Sequence, residues 1–281
     1  MLSLPPLQGR MSMRLVLAIL MMGVASLATA QQDAVDEQAE ALLQAMELDA
    51  EGTAVSVNLE KGRLITIKTA IGTQLQGFVA GPLDAKQGIL LLHDRWGLNE
   101  TMRQRVELFA ARGYRALAID VFDGRASNVW KYATEILNAT DPEWVKRDVL
   151  AGVAYLQAPQ RKVAAMGWGF GGWQAYQAAL MASDQLDAVV VWYAPLYASI
   201  QEARAISAPL LAIFAQDDVR VSAQMIASYE GMMKKSANVF RDYVYEADHG
   251  FADPQYPSFD EDIANDAWQS VDRFLAAFVE D

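Results

Sequence analysis

Two residues late in the chain have the types and the order that acid–base chemistry needs. Asp218 stands in "FAQDDVRV", and His249, one of only two histidines, stands in "YEADHGFADP". A histidine whose ring nitrogen is held by a carboxylate can take a proton from a hydroxyl, a thiol or water. The sequence therefore predicts His249 as a general base and Asp218 as its partner.

A glycine-rich stretch upstream, "VAAMGWGFGGWQA", allows two interpretations. Gly167, Gly169 and Gly172 match the dinucleotide fingerprint G-x-G-x-x-G. The stretch also matches a strand-to-helix turn, G-x-(Ser/Cys)-x-G, whose central residue is a nucleophile. The fingerprint requires an acid at the end of the following strand, and "AVVVWYA" ends without one. The nucleophile turn, with Gly169 at its centre, is therefore favoured.

The elements that position these residues follow a regular pattern. Short alternating segments near the start predict antiparallel strands, and later apolar runs alternate with amphipathic segments. We expect strands at 54–58, 63–68, 74–80, 88–94, 115–121, 162–168, 188–194, 210–216 and 241–247. We expect helices at 100–114, 141–157, 171–182, 199–205, 222–235 and 260–280. Buried strands that alternate with helices indicate a parallel sheet covered on both faces.

This pattern predicts an α/β-hydrolase fold, with an eight-stranded, mostly parallel sheet and helices on both faces. Functional residues of such sheets lie at the carboxyl ends of the strands. The order along the chain of the glycine turn, Asp218 and His249 is that of nucleophile, acid and base in this fold.

Four stretches resemble the dienelactone hydrolase family, a branch of the α/β-hydrolases. They are "LLHDRWGLNETMRQRVELFAARGYRALAIDVFDG", "GWGFGGWQA", "FAQDDVRV" and "YEADHGFADP", and the resemblance covers residues 75–280. It implies that Asp218 and His249 are the triad acid and base. It also implies an oxyanion hole made by the backbone N–H groups of Phe170 and Arg95.

The chain departs from this family at the nucleophile. The family carries cysteine or serine where this sequence has Gly169. The turn requires a positive φ, which glycine adopts without strain, so the turn should persist while the attacking atom is absent. Asp94 matches a position where the family often carries a glutamate that partners the nucleophile; its alternative role is an ion pair with Arg95.

Aromatic residues at the strand ends predict the surroundings of the site. We expect Trp96, Trp168, Trp192 and Tyr193 to line an apolar pocket for a small ligand, together with Asp94. An acid, Asp253, stands where the family's dienelactone enzyme has an arginine for the substrate carboxylate, which argues against an anionic dienelactone. Because His93, Asp94 and Asp120 form a poor ligand set, we expect no metal and no cofactor.

Composition and the N-terminus predict location and partners. A basic flank, an apolar run and Ala28-Thr29-Ala30 predict a signal peptide over 1–30, cleaved after Ala30 for export to the periplasm. We expect a helical or mobile lead-in over 31–52 and the hydrolase-like domain over 53–281. The chain has no cysteine, and its net charge of −12 argues against nucleic-acid binding. We expect no membrane association after cleavage; the oligomeric state stays open.

Two functions are compatible with these residues. The first is a hydrolase of small ester- or lactone-like compounds, in which His249 activates water or a nucleophile not recognised in the sequence. The second is a catalytically disarmed relative that binds a small ligand or a protein partner, because Gly169 has no side chain.

Overall fold

The buried apolar runs of the sequence form the strands of one twisted sheet. A computed structural model describes residues 62–197, 199–236 and 238–280, all within one compact unit that spans 59–281. Within this part the strands are β1 (Arg63–Lys68), β2 (Gln74–Ala80), β3 (Gln87–Leu92), β4 (Arg115–Ile119), β5 (Lys162–Trp168), β6 (Ala188–Trp192), β7 (Leu210–Ala215) and β8 (Phe240–Tyr245). The spatial order is β1-β2-β4-β3-β5-β6-β7-β8.

Strand directions follow the predicted change from antiparallel to parallel. β2 pairs antiparallel with β1 and with β4, and every other pairing between neighbours is parallel. The predicted eight-stranded, mostly parallel sheet of an α/β-hydrolase is therefore confirmed. The carboxyl ends of β3 to β8 meet at one edge, where the loops that follow them come together.

Helices cover both faces of this sheet. They are α1 (Glu100–Ala111), α2 (Trp130–Asn138), α3 (Pro142–Leu156), α4 (Phe170–Met181), α5 (Ile200–Ala205), α6 (Ala223–Met233) and α7 (Glu261–Phe278), with a 3₁₀ turn at Ser183–Gln185. Side chains of β3 alternate between two buried clusters: Leu90 packs with α3 to α6, and Leu91 packs with α1 and α7. None of these helices, among the residues described, is both long and apolar enough to span a membrane.

Local signals fix several helix starts. The Asp141 carboxylate accepts a hydrogen bond from the Glu143 N–H at 2.8 Å, and Pro142 occupies the first turn of α3. Helix α2 was not predicted. Its N-cap, Val129, makes no side-chain hydrogen bond, so no capping residue marks the start of the helix, although Ala133, Ile136 and Leu137 recur at helical spacing and pack towards the core.

Several predictions fall on residues outside those described. They are the signal peptide over 1–30, the lead-in over 31–52 and the strand over 54–58.

Candidate active site

Two neighbouring strands bring the predicted acid, Asp218, and the predicted base, His249, together. Asp218 follows β7 and His249 follows β8, and these strands are parallel neighbours. Nδ1 of His249 lies 2.6 Å from Oδ2 of Asp218. The other carboxylate oxygen accepts the Arg220 backbone N–H at 2.8 Å. Because an ionised carboxylate can only accept, Nδ1 carries the proton and Nε2 presents its lone pair.

The free nitrogen of His249 lies inside the site. Nε2 is buried, and no described residue forms a hydrogen bond with it. The imidazole packs against the rings of Tyr193 and Tyr256, with centroids 5.1 and 5.6 Å away. A cavity of about 310 Å³ reaches the histidine and is also lined by Asp217, Val219, Asp248, Pro257 and Ser258. The Ser258 hydroxyl donates to the His249 backbone carbonyl at 2.6 Å and is therefore not poised as a nucleophile.

The glycine turn has the conformation of a nucleophile turn. Gly169 follows β5 directly, is the N-cap of α4 and has φ +52° and ψ −111°. The turn is tight: a Cβ on Gly167 would lie 2.1 Å from the Gly171 carbonyl oxygen. Small residues at these places let the helix start directly above the strand. The strand–turn–helix geometry is thus present, with no side chain at its centre.

A carboxylate fills the space that the missing side chain would occupy. A Cβ built on Gly169 would lie 2.6 Å from Oδ1, 3.0 Å from Cγ and 3.2 Å from Oδ2 of Asp94. Oδ1 accepts the Phe170 backbone N–H at 3.2 Å, and Oδ2 accepts the Tyr256 hydroxyl. Burial, and then the charge of Asp94, raise the pKa of Tyr256, so this phenol stays protonated and donates.

The side chain of Arg95 contacts Trp130 rather than Asp94. Its guanidinium lies 4.0 Å from the ring centroid of Trp130. The alternative of an Asp94–Arg95 ion pair is therefore wrong, since Asp94 instead bonds the Phe170 N–H and Tyr256. The predicted oxyanion donors belong to two segments: Phe170 starts α4, and Arg95 lies in the loop after β3. Their oxyanion role stays a prediction.

The aromatic residues divide into two groups. Trp96 packs against Trp130 and Tyr256 beside the site, with centroids 5.8 and 5.7 Å away. Trp168 and Trp192 are instead fully buried in the core on the α1 and α7 face, contrary to the expectation that they line a pocket. Both strands are buried on both faces, so the position of a residue along the strand did not reveal which face it points to.

Tyr193 combines backbone strain with burial. Its φ is +36°, uncommon for a residue with a side chain, and its hydroxyl is buried without a hydrogen-bond partner among the described residues. Burial raises the pKa of Tyr193 well above its usual value. Its ring contacts that of His249, so it supports the base as a neutral aromatic surface.

A buried ion pair that the sequence pattern does not predict holds the histidine loop. Arg105 of α1 places Nη2 3.1 Å from Oδ2 of Asp253, and its guanidinium lies 4.1 Å from the Trp168 ring centroid. Asp253 also accepts the Gln255 N–H at 2.9 Å. Asp253 had been noted only as an acid in place of an arginine. Tyr256 was missed as well, because nothing in its spacing marks it.

The first histidine has a structural environment. Nε2 of His93 accepts the Val121 N–H at 3.3 Å, so Nδ1 donates to the Asp94 carbonyl at 2.7 Å. Burial lowers the pKa of His93 and keeps the ring neutral. Asp120 caps the next turn, accepting the N–H groups of Phe122 and Gly124. Within the described ranges, no group of three or more His, Asp or Glu side chains is placed to hold a metal ion.

The fold and the acid–base pair define an α/β-hydrolase, and comparison with known proteins gives the family. The sequence profile of the dienelactone hydrolase family matches residues 75–279. The chain therefore belongs to the dienelactone hydrolase family.

Individual relatives cover most of the same region. "Putative carboxymethylenebutenolidase" of Saccharolobus solfataricus is 23% identical over 244 residues, covering 73% of this chain and 94% of its own. "Protein usf" of Aquifex pyrophilus is 24% identical over 220 residues, covering 74% and 95%. The solved structure titled "m3DLH" superposes with a TM-score of 0.70 at 22% identity, covering 79% of this chain and all of its own. That likeness shows the fold.

Proposed function

We propose that this protein hydrolyses small ester- or lactone-like compounds, with His249 as the base and Asp218 as its partner. The proposal rests on the 2.6 Å contact between Nδ1 of His249 and Oδ2 of Asp218. It also rests on Nε2 of His249, which is buried and forms no hydrogen bond with any described residue. Membership of a hydrolase family supports the reaction class.

The chemistry needs no protein nucleophile. Nε2 of His249 takes a proton from water as that water attacks the substrate carbonyl, and the Asp218 carboxylate stabilises the resulting imidazolium. The imidazolium then gives the proton to the departing alkoxide. The oxyanion of the intermediate binds the Phe170 N–H, which Asp94 now holds at 3.2 Å, so substrate binding must displace the carboxylate from this donor.

A second candidate function rests on the centre of the turn. Gly169 has no attacking atom, and the Asp94 carboxylate fills the place where a side chain would be. A site arranged in this way also fits a catalytically disarmed protein that binds a small ligand or a protein partner. Loss of the nucleophile in a serine protease lowers turnover by about 10⁶-fold, so the absence of a nucleophile at Gly169 favours this alternative.

Assays with a chromogenic ester distinguish the proposed hydrolase from the disarmed binding protein. We expect wild type to hydrolyse p-nitrophenyl acetate, and His249→Ala and Asp218→Asn to lose about 10²–10⁴-fold in kcat/KM, the usual contribution of a general base. Asp84→Asn makes the same chemical change as Asp218→Asn at an exposed position and should retain full activity. A silent wild type with an active Gly169→Ser would show a disarmed site, and unchanged activity in His249→Ala would refute the proposed base.

The same proposal includes export to the periplasm. The basic, apolar and Ala-Thr-Ala segments over 1–30 support it. We expect cell fractionation to recover the protein in the periplasm with Gln31 at its N-terminus. Recovery in the cytosol with residues 1–30 intact would contradict this part.

A further inference from the structure

The Asp94 carboxylate lies beside the position from which a side chain at residue 169 would project. Three of its atoms lie 2.6 to 3.2 Å from the Cβ position of such a side chain. The carboxylate reaches this place from the loop after β3, and the absence of a side chain at Gly169 is what leaves room for it. The turn therefore presents a negatively charged oxygen pair although its own central residue carries none.

The hydrogen bonds hold the two carboxylate oxygens differently. Oδ1 accepts the Phe170 backbone N–H at the start of α4, a donor that is fixed by the fold. Oδ2 accepts the Tyr256 hydroxyl, a donor on a side chain. A substrate oxygen that takes over the Tyr256 hydroxyl would leave Oδ2 free while Oδ1 stays bound. This arrangement orients a carboxylate for attack through one oxygen.

We propose that Asp94 is a carboxylate nucleophile that opens epoxides, with hydrolysis completed by water that His249 activates. This goes beyond ester hydrolysis, and it rests on the proposed function only for the role of His249. An epoxide suits a carboxylate because attack on its strained, saturated carbon yields an ester. Attack on an ordinary ester would instead give an acid anhydride and expel an alkoxide without the release of ring strain that drives epoxide opening.

The first step forms a covalent ester. Oδ2 bonds to a ring carbon, the carbon–oxygen bond of the epoxide breaks, and the ring oxygen takes the Tyr256 hydroxyl proton. Asp94 becomes an alkyl ester whose carbonyl oxygen, Oδ1, remains on the Phe170 N–H.

The second step restores the enzyme. Water loses a proton to Nε2 of His249 and attacks Cγ of Asp94, and the oxyanion forms at the Phe170 N–H. The carbon–oxygen bond between Cγ and the alkyl oxygen then breaks, and the diol leaves with the proton from His249. The new carboxyl group of Asp94 returns its proton to the Tyr256 phenolate. The net reaction adds one water to one epoxide.

Trapping tests the first step directly. His249→Ala should stop the second step, so incubation with styrene oxide should give protein heavier by one probe molecule. Peptide mapping should place the adduct on Asp94, and His249→Ala combined with Asp94→Asn should lack it. His249→Ala combined with Asp84→Asn, at an exposed aspartate, should retain it. An adduct absent from Asp94, or equal in the Asp94→Asn background, overturns the proposal.

Isotope labelling tests the wild-type protein without any substitution. In H₂¹⁸O, with enzyme in excess over styrene oxide, the first diol should contain oxygen from Asp94 rather than from solvent. Mass spectrometry should then find ¹⁸O in the Asp94 peptide. A first diol fully labelled by solvent, or no diol at all, refutes the carboxylate nucleophile.

The ester and epoxide assays fail separately. Because Asp94 accepts the Phe170 N–H, Asp94→Ala should free this donor and increase turnover of p-nitrophenyl acetate. The same substitution should lower epoxide turnover by about 10³-fold or more. Ester hydrolysis without trapping on Asp94 would leave the proposed function intact and remove this inference. Trapping on Asp94 without ester hydrolysis would support this inference and contradict the proposed ester hydrolysis.

Discussion

Replacing Gly169 by serine tests whether the Asp94 carboxylate occupies the centre of the turn. The new Cβ would lie 2.6 Å from Oδ1 and 3.0 Å from Cγ of Asp94, closer than non-bonded atoms allow. The carboxylate must therefore move, and it gives up its hydrogen bonds to the Phe170 N–H and to Tyr256. The serine must in addition adopt φ +52°.

These two effects have separable magnitudes. A side chain in a sparsely populated backbone region costs about 1–3 kcal/mol of unfolding free energy. Losing hydrogen bonds to a charged group costs about 1.5–3 kcal/mol more. We expect Gly169→Ser to destabilise the protein by about 3–5 kcal/mol. In an Asp94→Ala background only the backbone cost should remain, giving a coupling energy of about 2 kcal/mol between the two positions.

Urea unfolding followed by circular dichroism measures all four proteins of this cycle. Gly113→Ser is the matched control, because Gly113 has φ +88° and no atom lies within 4 Å of an added Cβ. It should show the backbone cost alone, with no coupling to Asp94→Ala. Additive costs for Gly169→Ser and Asp94→Ala, with coupling below about 0.5 kcal/mol, would refute the placement of the carboxylate.

Three further changes test other parts of the structure. Asp253→Ala leaves Arg105 as an unpaired buried charge and should lower the free energy of unfolding in urea by about 3–5 kcal/mol. The double variant Arg105→Met with Asp253→Leu should recover much of this loss. An equal loss in both variants would contradict the ion pair. Burial and the nearby Glu230 raise the pKa of Asp242 to about 6, so this group lowers stability as pH rises from about 4 to 6. Asp242→Asn should therefore stabilise the protein at pH 7 by up to about 1 kcal/mol, with no gain at pH 4; a gain at both values would refute the titration. Tyr256→Phe removes the donor to Oδ2 and should slow epoxide opening more than ester hydrolysis, measured as kcat/KM for each substrate; equal effects would argue against a proton donor.

Apolar patterning was sufficient for most of the fold because most elements bury one continuous stripe or run. Strand β3, for example, is almost wholly buried, and its sequence "QGILLL" shows this directly. Helix α2 was missed although Ala133, Ile136 and Leu137 recur at helical spacing, because no side-chain cap marks its start and only Ala133 is fully buried.

The sequence predicted the part of the candidate site in which the order of residues along the chain determines their positions in the fold. Asp218 and His249 follow adjacent parallel strands, and such loops meet at one sheet edge. Contacts between distant segments gave no such signal: Tyr256 and Asp94 are 162 residues apart. The direction of Trp168 was also beyond reach, since a strand buried on both faces gives no alternation from which to tell them apart.

The indole of Trp130 contacts two cations from different loops. Arg95, beside Asp94, is 4.0 Å from its centroid, and Arg220, beside Asp218, is 5.0 Å away. Two like charges that share one ring repel each other, while each is attracted to its π electrons. The loop that carries Asp94 and the loop that carries Asp218 therefore share one aromatic side chain through cation–π contacts.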